Sequence, residues 1–385
     1  MGVTDKRLLK HNLDWITILL VLALVGFGLI SIASIMASPF EGTEKTIGDY
    51  LGKLNLEYVS RQIVNFIVGL AAMLIVLVVD YQTFKPFIKY VYAANLFLLV
   101  VLLLVGESTR GVAGWFNIGS RAFQPAELCK ITLIIYLSKI VSETMDREGG
   151  LKRFADIVKV AGICAVPTLL VALQPDWGTA FVFIMVLICL LFIGRIGWHY
   201  IVGAVIFLGA ALPLAYHYVM NADQRGRIDV FLDPSKDLSG KGYNVSQAKI
   251  SIGSGQVYGK GFFTDGTLAQ LKYVPERHTD FIFAGIVEAV GFIGGTILIA
   301  LYFLLIFRWL YVAIRAKDHF GTCIVIGAMG MLLAHVFENI GMNVGIMPVT
   351  GIPLPFISYG GSNLLTNMIA VGLVLNVWMR RQVRR

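Results

Sequence analysis

Charged side chains are scarce in this sequence. Only 15% of its 385 residues are Asp, Glu, Lys or Arg, while 57% are hydrophobic. A soluble globular domain carries about 25% charged residues, so this composition excludes an ordinary soluble protein. It is typical of a polytopic membrane protein, in which long apolar runs cross the bilayer.

Cysteine is also rare, and nucleotide-binding motifs are missing. The four cysteines lie in apolar runs without paired spacing, so the sequence predicts neither a disulfide framework nor a zinc site. It has no Walker A loop and no dinucleotide fingerprint. The net charge is +8, but the basic residues stand at the ends of apolar runs instead of in one patch. This distribution favours orientation in a membrane over nucleic-acid binding.

Ten apolar runs are long enough to cross a bilayer as helices, which takes about 17–25 residues each. They cover residues 15–36, 59–79, 87–106, 123–142, 156–174, 177–194, 199–219, 280–306, 319–343 and 358–379. We therefore predict an all-α polytopic membrane protein with ten transmembrane helices. Residues 1–385 are expected to form one transmembrane domain.

Basic residues predict the orientation of these spans. They cluster at both ends of the chain, at Lys6, Arg7, Lys10, Arg380, Arg381, Arg384 and Arg385. Because cytoplasmic segments carry the excess of Lys and Arg, both termini are predicted to be cytoplasmic. The connection at about 221–279, between the seventh and eighth spans, then lies outside.

A loop of this length is usually functional or disordered, and its short apolar stretches favour an ordered loop. Its glycines at 253, 255, 259 and 261 are interpreted as turn residues, with phosphate binding as the alternative.

A charged segment runs directly into an apolar run at Y-V-P-E-R-H-T-D-F-I-F, residues 273–283. Glu276, Arg277, His278 and Asp280 are therefore expected at the membrane surface. A helix is predicted to begin near Thr279, with Asp280 in its first turn. Two interpretations stand: Asp280 complements the helix dipole, or it acts on an amphiphilic substrate.

Further ionisable residues are expected on the same outer face. Glu127 and Lys130, three residues apart, share a helix face and form either a structural ion pair or part of a site. Asp176, in Q-P-D-W-G-T, is either an N-cap or a further site residue. By contrast, His335 and Glu338 within the ninth span are interpreted as a polar packing pair more readily than as metal ligands.

The last outer segment, residues 348–363, holds three prolines and three glycines. Irregular backbone near membrane depth is tolerated only where it is buried in protein or lines a cavity. Together with Arg225, Arg227 and Arg277, the outer carboxylates suit a substrate that carries phosphate on a lipid tail and a hydroxyl to be deprotonated.

Six motifs that occur in order along the chain carry a family resemblance. They are W-F-N-I-G-S-R-A-F-Q-P-A-E-L-C-K, Q-P-D-W-G-T, Q-R-G-R-I-D-V-F-L-D-P, G-K-G, L-K-Y-V-P-E-R-H-T-D-F-I-F and P-V-T-G-I-P-L-P-F-I-S-Y-G-G-S-N. The chain closely resembles the shape, elongation, division and sporulation (SEDS) family of bacterial membrane proteins. Its motifs look more like those of the rod-shape members than those of the cell-division members.

The resemblance implies a peptidoglycan glycosyltransferase of the bacterial cytoplasmic membrane, which polymerises lipid II into β-1,4-linked glycan on the outer face. The family's essential aspartate matches Asp280, its acidic and basic pair matches Glu127 and Lys130, and its Q-P-D aspartate matches Asp176. The resemblance also implies a class B penicillin-binding protein, a transpeptidase, as partner.

A mechanism follows for an α-linked donor and a β-linked product. A single inverting displacement needs a base on the acceptor hydroxyl and positive charge on the leaving diphosphate. We predict Asp280 as the base and Lys130 as the stabilising charge, with Glu127 and Asp176 orienting Lys130 or the acceptor. The further predicted substrate-binding residues are Arg110, Arg121, Gln124, Arg277 and His278. A divalent cation, Mg²⁺ or Mn²⁺, could share the diphosphate charge, although no ligand spacing requires one.

Two other functions fit part of the pattern. A lipid II flippase would also need buried charges and helices broken by proline or glycine. A non-catalytic scaffold would need the charges only for folding. The outer-face clustering of the polar residues and the lack of an inverted repeat favour the enzyme over the flippase.

Overall fold

Helices make up most of the described chain. The computed structural model describes residues 13–38, 56–105, 107–109, 112–118, 121–218, 222–233, 237, 240–264 and 266–381. Its helices are α1 (Trp15–Ile35), α2 (Leu56–Val78), α3 (Phe84–Val105), α4 (Pro125–Glu148), α5 (Phe154–Leu173), α6 (Trp177–Ile193), α7 (Trp198–Tyr218), α8 (Ala222–Leu232), α9 (Lys241–Ser254), α10 (Ile282–Ile314), α11 (His319–Val344) and α12 (Gly361–Met379).

Seven helices within the described residues are long and apolar enough to cross a membrane. They are α1, α2, α3 with the turn before it, α5, α10, α11 and α12. The other three predicted spans, 123–142, 177–194 and 199–219, coincide with α4, α6 and α7. Of these, α6 is short, at 17 residues, and α4 carries several charged side chains. Crossing by all ten helices therefore remains a prediction.

The expectation of an all-α chain misses a small antiparallel sheet. Strands β1 (Glu107–Thr109), β2 (Val112–Ile118) and β3 (Arg121–Phe123) pair in the order β1-β2-β3. β3 ends one residue before α4, whose N-cap is Gln124 and whose first residue is Pro125. Proline suits this position because the first helical N–H has no partner within the helix. The sheet thus leads directly into the helix that carries Glu127 and Lys130.

The core is built around α11. This helix packs against α4, α6 and α10, and most of its residues are buried, whereas few residues of α2 and α5 are. Small residues let the neighbours approach closely. A Cβ added at Gly327 would lie 2.8 Å from Ile134 of α4, and one at Gly330 would lie 3.0 Å from the sulfur of Cys189 in α6. Side chains on α11 are therefore held in a tightly packed interior.

Helix α10 is interrupted at Gly291, where φ is 69° and ψ is −171°. The segment 255–261 docks on this break through backbone hydrogen bonds. The donor and acceptor pairs are Phe292 N and Gln256 O (2.9 Å), Ile293 N and Val257 O (3.2 Å), Lys260 N and Glu288 O (2.9 Å), and Gly261 N and Ala289 O (2.8 Å). A Cβ at Gly255 or Gly259 would overlap carbonyl oxygens of α10. These two glycines therefore serve close backbone packing on the helix.

The buried side chain of Glu288 also holds segment 255–261 against α10. Its side chain is fully buried, and its carboxylate accepts hydrogen bonds from the Ser251 hydroxyl (2.8 Å), the Lys260 ammonium (2.6 Å) and the Leu268 N–H (2.8 Å). A buried carboxylate is stable only when it is paired and hydrogen-bonded. Glu288 thus joins α9, the glycine segment (residues 255–261) and α10 into one unit.

Candidate active site

Lys130 and Glu127 form a buried ion pair. The Lys130 Nζ lies 2.8 Å from Glu127 Oε1, and the two side chains are 1% and 5% exposed. The three-residue spacing on α4 places them on one helix face, as the sequence predicts. At this burial the charges interact in a low-dielectric interior, where an unpaired charge would be strongly disfavoured.

His335 of α11 is a second partner of Lys130. Its Nε2 lies 2.9 Å from the Lys130 Nζ, and its Nδ1 lies 2.8 Å from the Met331 carbonyl oxygen. Because a carbonyl can only accept, Nδ1 carries the hydrogen and Nε2 accepts from the ammonium. Two of the three Lys130 donors are therefore occupied by Glu127 and His335.

His335 makes its packing contact with Lys130 on the neighbouring helix, and no hydrogen bond joins it to Glu338. Glu338 is 1% exposed, and neither of its carboxylate oxygens has a hydrogen-bond partner among the described residues. Helical spacing alone could not indicate this, since it does not specify which helix faces the histidine.

Asp176 is the N-cap of α6 and also faces the same cluster. Its Oδ1 accepts from the Thr179 N–H (3.0 Å), and its Oδ2 accepts from the Gln124 amide (2.9 Å). Lys130 and Glu127 are close enough to act on Asp176 electrostatically. The N-cap alternative for Asp176 is therefore confirmed, while its role as a site residue stays a prediction. Gln124 links the start of α4 to the start of α6.

Asp280 lies just before α10 and not in its first turn. The helix begins at Ile282 with Phe281 as N-cap, so the predicted start near Thr279 is wrong. The Thr279 hydroxyl donates to Glu276 and does not cap the helix. Capping comes from α11 instead, where the Asn343 Oδ1 accepts from the Ala284 N–H at 3.1 Å. Sequence reasoning missed this cap because the donor and acceptor are 59 residues apart.

The Asp280 backbone is fixed by two carboxamides of α11. The Asn339 Nδ2 and the Asn343 Nδ2 donate to the Asp280 carbonyl at 2.9 and 3.0 Å. The preceding residue is held as well, since the Ser358 hydroxyl donates to the Thr279 carbonyl at 2.6 Å. The half-buried Asp280 side chain therefore stands on a backbone that does not depend on its own carboxylate.

One face of α11 connects Asp280 to the buried cluster. His335, which bonds to Lys130, and Asn339, which bonds to Asp280, are four residues apart. Residues at this spacing lie one turn apart on a helix, about 5–6 Å between Cβ atoms. The structure thus brings together Glu127, Lys130, Asp176 and Asp280 around α11. The sequence signal for this face was the four-residue spacing of His335, Asn339 and Asn343, in a stretch that also contains Glu338.

The proline- and glycine-rich segment 348–363 packs behind Asp280. A Cβ at Gly351 would lie 3.5 Å from the Asp280 Oδ2, and its φ of 81° favours glycine. The Asn339 amide also donates to the Ile352 carbonyl at 2.7 Å. Ile352 and residues 354–358 of this segment are buried, whereas Gly351 beside Asp280 is exposed.

The predicted basic helpers are distributed differently. Arg110 lies outside the described residues, and of Arg121 only the backbone in β3 is described. Arg277 and His278 line a cavity of about 470 Å³ whose lining does not include Asp280 or Lys130. Burial lowers the pKa of the Arg277 guanidinium, but arginine stays protonated at neutral pH.

The described residues contain no group of three or more His, Cys, Asp or Glu side chains arranged to hold a metal ion.

A bundle of apolar helices with a buried ammonium and several carboxyl groups around one central helix defines an integral membrane protein with an internal polar site. Comparison with known proteins gives the family. A family model described as "Cell cycle protein", FtsW/RodA/SpoVE, matches residues 14–383. The chain belongs to this family.

Curated relatives cover most of the chain. It is 38% identical over 327 residues to the peptidoglycan glycosyltransferase MrdB of Escherichia coli (strain K12), a match that covers 84% of this chain and 86% of the relative. It is 33% identical over 373 residues to stage V sporulation protein E of Bacillus subtilis (strain 168), which covers 96% and 97%. The resemblance inferred from the motifs is thereby confirmed.

Solved structures share the fold. A chain of a structure described as "Structural coordination of polymerization and crosslinking by a peptidoglycan synthase complex" has a TM-score of 0.78 and 28% identity, with 96% of this chain and 98% of that chain covered. The rod-shape-determining protein RodA of Thermus thermophilus has a TM-score of 0.69 and 26% identity, with 97% and 98% covered.

Proposed function

We propose that this protein is a peptidoglycan glycosyltransferase that polymerises lipid II on the outer face of the bacterial cytoplasmic membrane, for cell elongation and shape. The observation that carries the proposal is the shared face of α11, on which His335 bonds to the Lys130 ammonium and Asn339, one turn further along, bonds to the Asp280 carbonyl. Curated relatives with glycosyltransferase names support the same activity.

In the proposed reaction Asp280 is the general base. Its carboxylate takes the proton from the acceptor 4-hydroxyl while that oxygen attacks the anomeric carbon of the donor, and the bond to the diphosphate breaks with inversion. A base on a fixed backbone needs little reorganisation, which suits this role. Asp280 is half-buried, so a substrate can reach it.

Lys130 supplies positive charge to the leaving diphosphate in this proposal. With its side chain 1% exposed, it acts through the low-dielectric interior, and a direct bond to phosphate requires the cluster to open. Glu127 and Asp176 orient Lys130, and Gln124 orients Asp176.

The flippase alternative is not favoured. A transporter needs no group that accepts a proton from a sugar hydroxyl. Here the Asp280 carbonyl is held by Asn339 and Asn343, and the preceding Thr279 carbonyl is held by Ser358, just before α10 begins. The curated relatives MrdB and FtsW also carry transferase names.

The test of the function is polymerisation of purified lipid II by the purified protein, alone and with a class B penicillin-binding protein. A peptidoglycan synthase complex among the structural matches supports that partner. We expect glycan strands that a muramidase digests. Failure of both preparations to form polymer, with lipid II moving across vesicle membranes instead, would support the flippase.

The proposed topology has ten spans, cytoplasmic termini and residues 221–279 outside. We expect Lys249→Cys to react with an impermeant thiol reagent added to spheroplasts, and Lys317→Cys to react only after lysis, because both side chains are exposed but lie at opposite ends of the bundle in this topology. Three of the native cysteines are buried, so Cys189→Ser gives a suitable background. Reversed labelling would contradict the outer-face assignment.

A further inference from the structure

Three arginines lie close together at the opposite end of α10 from the candidate active site. Arg308 is in the last turns of α10, Arg315 is the C-cap of that helix, and Arg381 lies two residues after α12. Asp14, the N-cap of α1, lies beside Arg308. We propose that this arginine cluster (Arg308, Arg315 and Arg381) binds the phosphate group of an anionic phospholipid such as phosphatidylglycerol. The inference goes beyond the proposed function and does not rest on it.

Two aromatic rings hold the arginine cluster together. The guanidinium carbons of Arg381 and Arg308 lie 3.6 and 4.6 Å from the centre of the Trp378 ring. Those of Arg308 and Arg315 lie 5.0 and 5.4 Å from the centre of the Tyr311 ring. The two rings pack against each other with 5.9 Å between their centroids. Cation–π contacts of this kind keep the three like charges close to one another.

Positive charge is in excess in the arginine cluster. Arg308 is paired with Asp14, whereas neither Arg315 nor Arg381 forms an ion pair with a described residue. Three guanidinium groups and one carboxylate leave two positive charges. Burial lowers the pKa of the Arg381 guanidinium, and repulsion from Arg308 and Arg315 adds to this effect. A phosphate group bound between the arginines would relieve the repulsion, and Arg–phosphate pairs are strong, charge-assisted contacts.

The donors of the cluster are held in place before any ligand binds. The Arg381 Nη1 donates to the Trp378 carbonyl at 2.8 Å, and no other N–H group of this guanidinium bonds to a described residue. Arg308 is fixed by its contacts with Asp14, the shortest of which is 2.8 Å. A guanidinium presents its N–H groups in a planar fork that matches phosphate oxygens. Because the side chains are already ordered, little conformational entropy is lost on binding.

The position of the cluster indicates a lipid and not a soluble anion. It lies where α1 begins and where α10 and α12 end, and each of these helices is long and apolar enough to cross a membrane. The ends of such helices stand at the height of the lipid headgroups. An exposed apolar face of α10 runs from the cluster toward the middle of the helix, at Ile314, Leu310 and Phe307. Acyl chains can lie along this face while the phosphate contacts the arginines.

The net charge of the headgroup should decide between lipids. Phosphatidylglycerol is anionic, whereas in phosphatidylcholine an ammonium group cancels the charge of the phosphate. The Trp378 and Tyr311 rings, which could attract that ammonium group, already lie beside guanidinium groups. The cluster therefore favours an anionic lipid over a zwitterionic one. In the proposed topology it faces the cytoplasmic leaflet, whose negative surface potential attracts basic residues.

The test measures lipid binding by the full-length protein in a neutral detergent. The probes are phosphatidylglycerol, phosphatidylcholine and glycerophosphoglycerol, which is the headgroup of phosphatidylglycerol without its acyl chains. Bound lipid is counted by native mass spectrometry over a range of lipid concentrations. The melting temperature of each sample, with and without lipid, shows whether the protein is folded and whether the lipid stabilises it.

The site variant is Arg315→Gln/Arg381→Gln. Arg308 stays unchanged, because its loss would leave the buried Asp14 carboxylate without its partner. The matched control is Lys152→Gln/Lys159→Gln, which removes the same amount of charge from two exposed lysines near the start of α5. A general effect of net charge on lipid binding would appear equally in both variants.

We expect the wild-type protein to bind phosphatidylglycerol about tenfold or more tightly than phosphatidylcholine, as for hydrogen bonds between charged groups. The site variant should lose this preference, and the control should keep the wild-type affinity. Phosphatidylglycerol should raise the melting temperature of the wild-type protein and of the control but not that of the site variant. Glycerophosphoglycerol should not compete, because it lacks the acyl chains that α10 receives.

Three outcomes would overturn the inference: wild-type affinity of the site variant for phosphatidylglycerol, an equal loss of affinity in the control, or effective competition by glycerophosphoglycerol, which would indicate a soluble anion. If the double site variant does not fold, Arg315→Gln alone gives the answer, since this side chain is exposed, and unchanged binding would contradict the proposal. None of these measurements depends on polymerisation of lipid II, so the proposed function can fail without affecting them.

Discussion

Asp280→Asn is expected to lower lipid II polymerisation about 10²-fold or more, the range for loss of a general base. Asparagine has nearly the size of aspartate but does not take up a proton at working pH. If Asp280 deprotonates the acceptor hydroxyl, the substituted enzyme has no group to replace it.

Folding should survive this change. The Asp280 carbonyl, which is unaffected by the substitution, receives the two asparagine amides of α11, and Phe281 rather than Asp280 is the N-cap of α10. We therefore expect the free energy of unfolding to change by no more than about 1 kcal/mol. Binding of the transpeptidase partner should also persist.

The measurement is glycan product per unit time from purified lipid II, with melting temperature and partner pull-down on the same samples. Asp229→Asn is a matched control, because this acid lies in α8 and accepts a hydrogen bond from the Tyr216 hydroxyl. Near-normal product from well-folded Asp280→Asn protein would rule out its role as base.

Lys130→Met is expected to abolish polymerisation, with a loss of about 10²–10³-fold or more from the missing positive charge. The single substitution also leaves Glu127 buried without its partner, which costs about 3–5 kcal/mol of stability. Activity and folding must therefore be separated.

The double variant Glu127→Gln/Lys130→Met makes that separation. Removing both charges avoids an uncompensated buried carboxylate, so the melting temperature should return toward the wild-type value while polymerisation stays absent. Protein level in the membrane, melting temperature and product formation are measured for both variants. Recovery of polymerisation in the double variant would show that the pair is only structural.

Local sequence patterns predicted those parts of the site that depend on short spacing. Glu127 and Lys130 face each other because three residues separate them on one helix, and Asp176 caps α6 because it immediately precedes Trp177. The apolar runs predicted the helices for the same reason, since length and composition are local properties. The site roles of these residues stay predictions until the variants are measured.

Local sequence patterns could not predict contacts between residues that are far apart in the sequence. His335 bonds to Lys130 across 205 residues, and Asn343 caps α10 across 59. Glu288 was overlooked because one carboxylate in an apolar run gives no hint of the donors that surround it. The sheet before α4 was missed because its outer strands are only three residues long.

The length of helix α1 can be compared with the thickness of a membrane. Its 21 residues are about 31 Å long, close to the hydrocarbon thickness of about 30 Å. At its start Asp14 pairs with Arg308 of α10 at 2.8 Å, and at its end Ile35 packs against Gly285. In the proposed topology, Asp280 therefore stands just outside the hydrocarbon, at the height of lipid headgroups.

In the proposed topology, the same comparison of lengths places residues 255–262 below that surface. Phe262 packs against Phe27 of α1 with 6.0 Å between ring centroids, and Phe27 lies eight residues, or about 12 Å, before the outer end of the helix. We therefore expect the segment to be re-entrant in the proposed topology, where the break at Gly291 supplies the hydrogen bonds that lipid cannot. Because α1 matches one bilayer thickness, a thinner or thicker membrane is expected to shift Asp280 relative to the diphosphate of a lipid-anchored substrate.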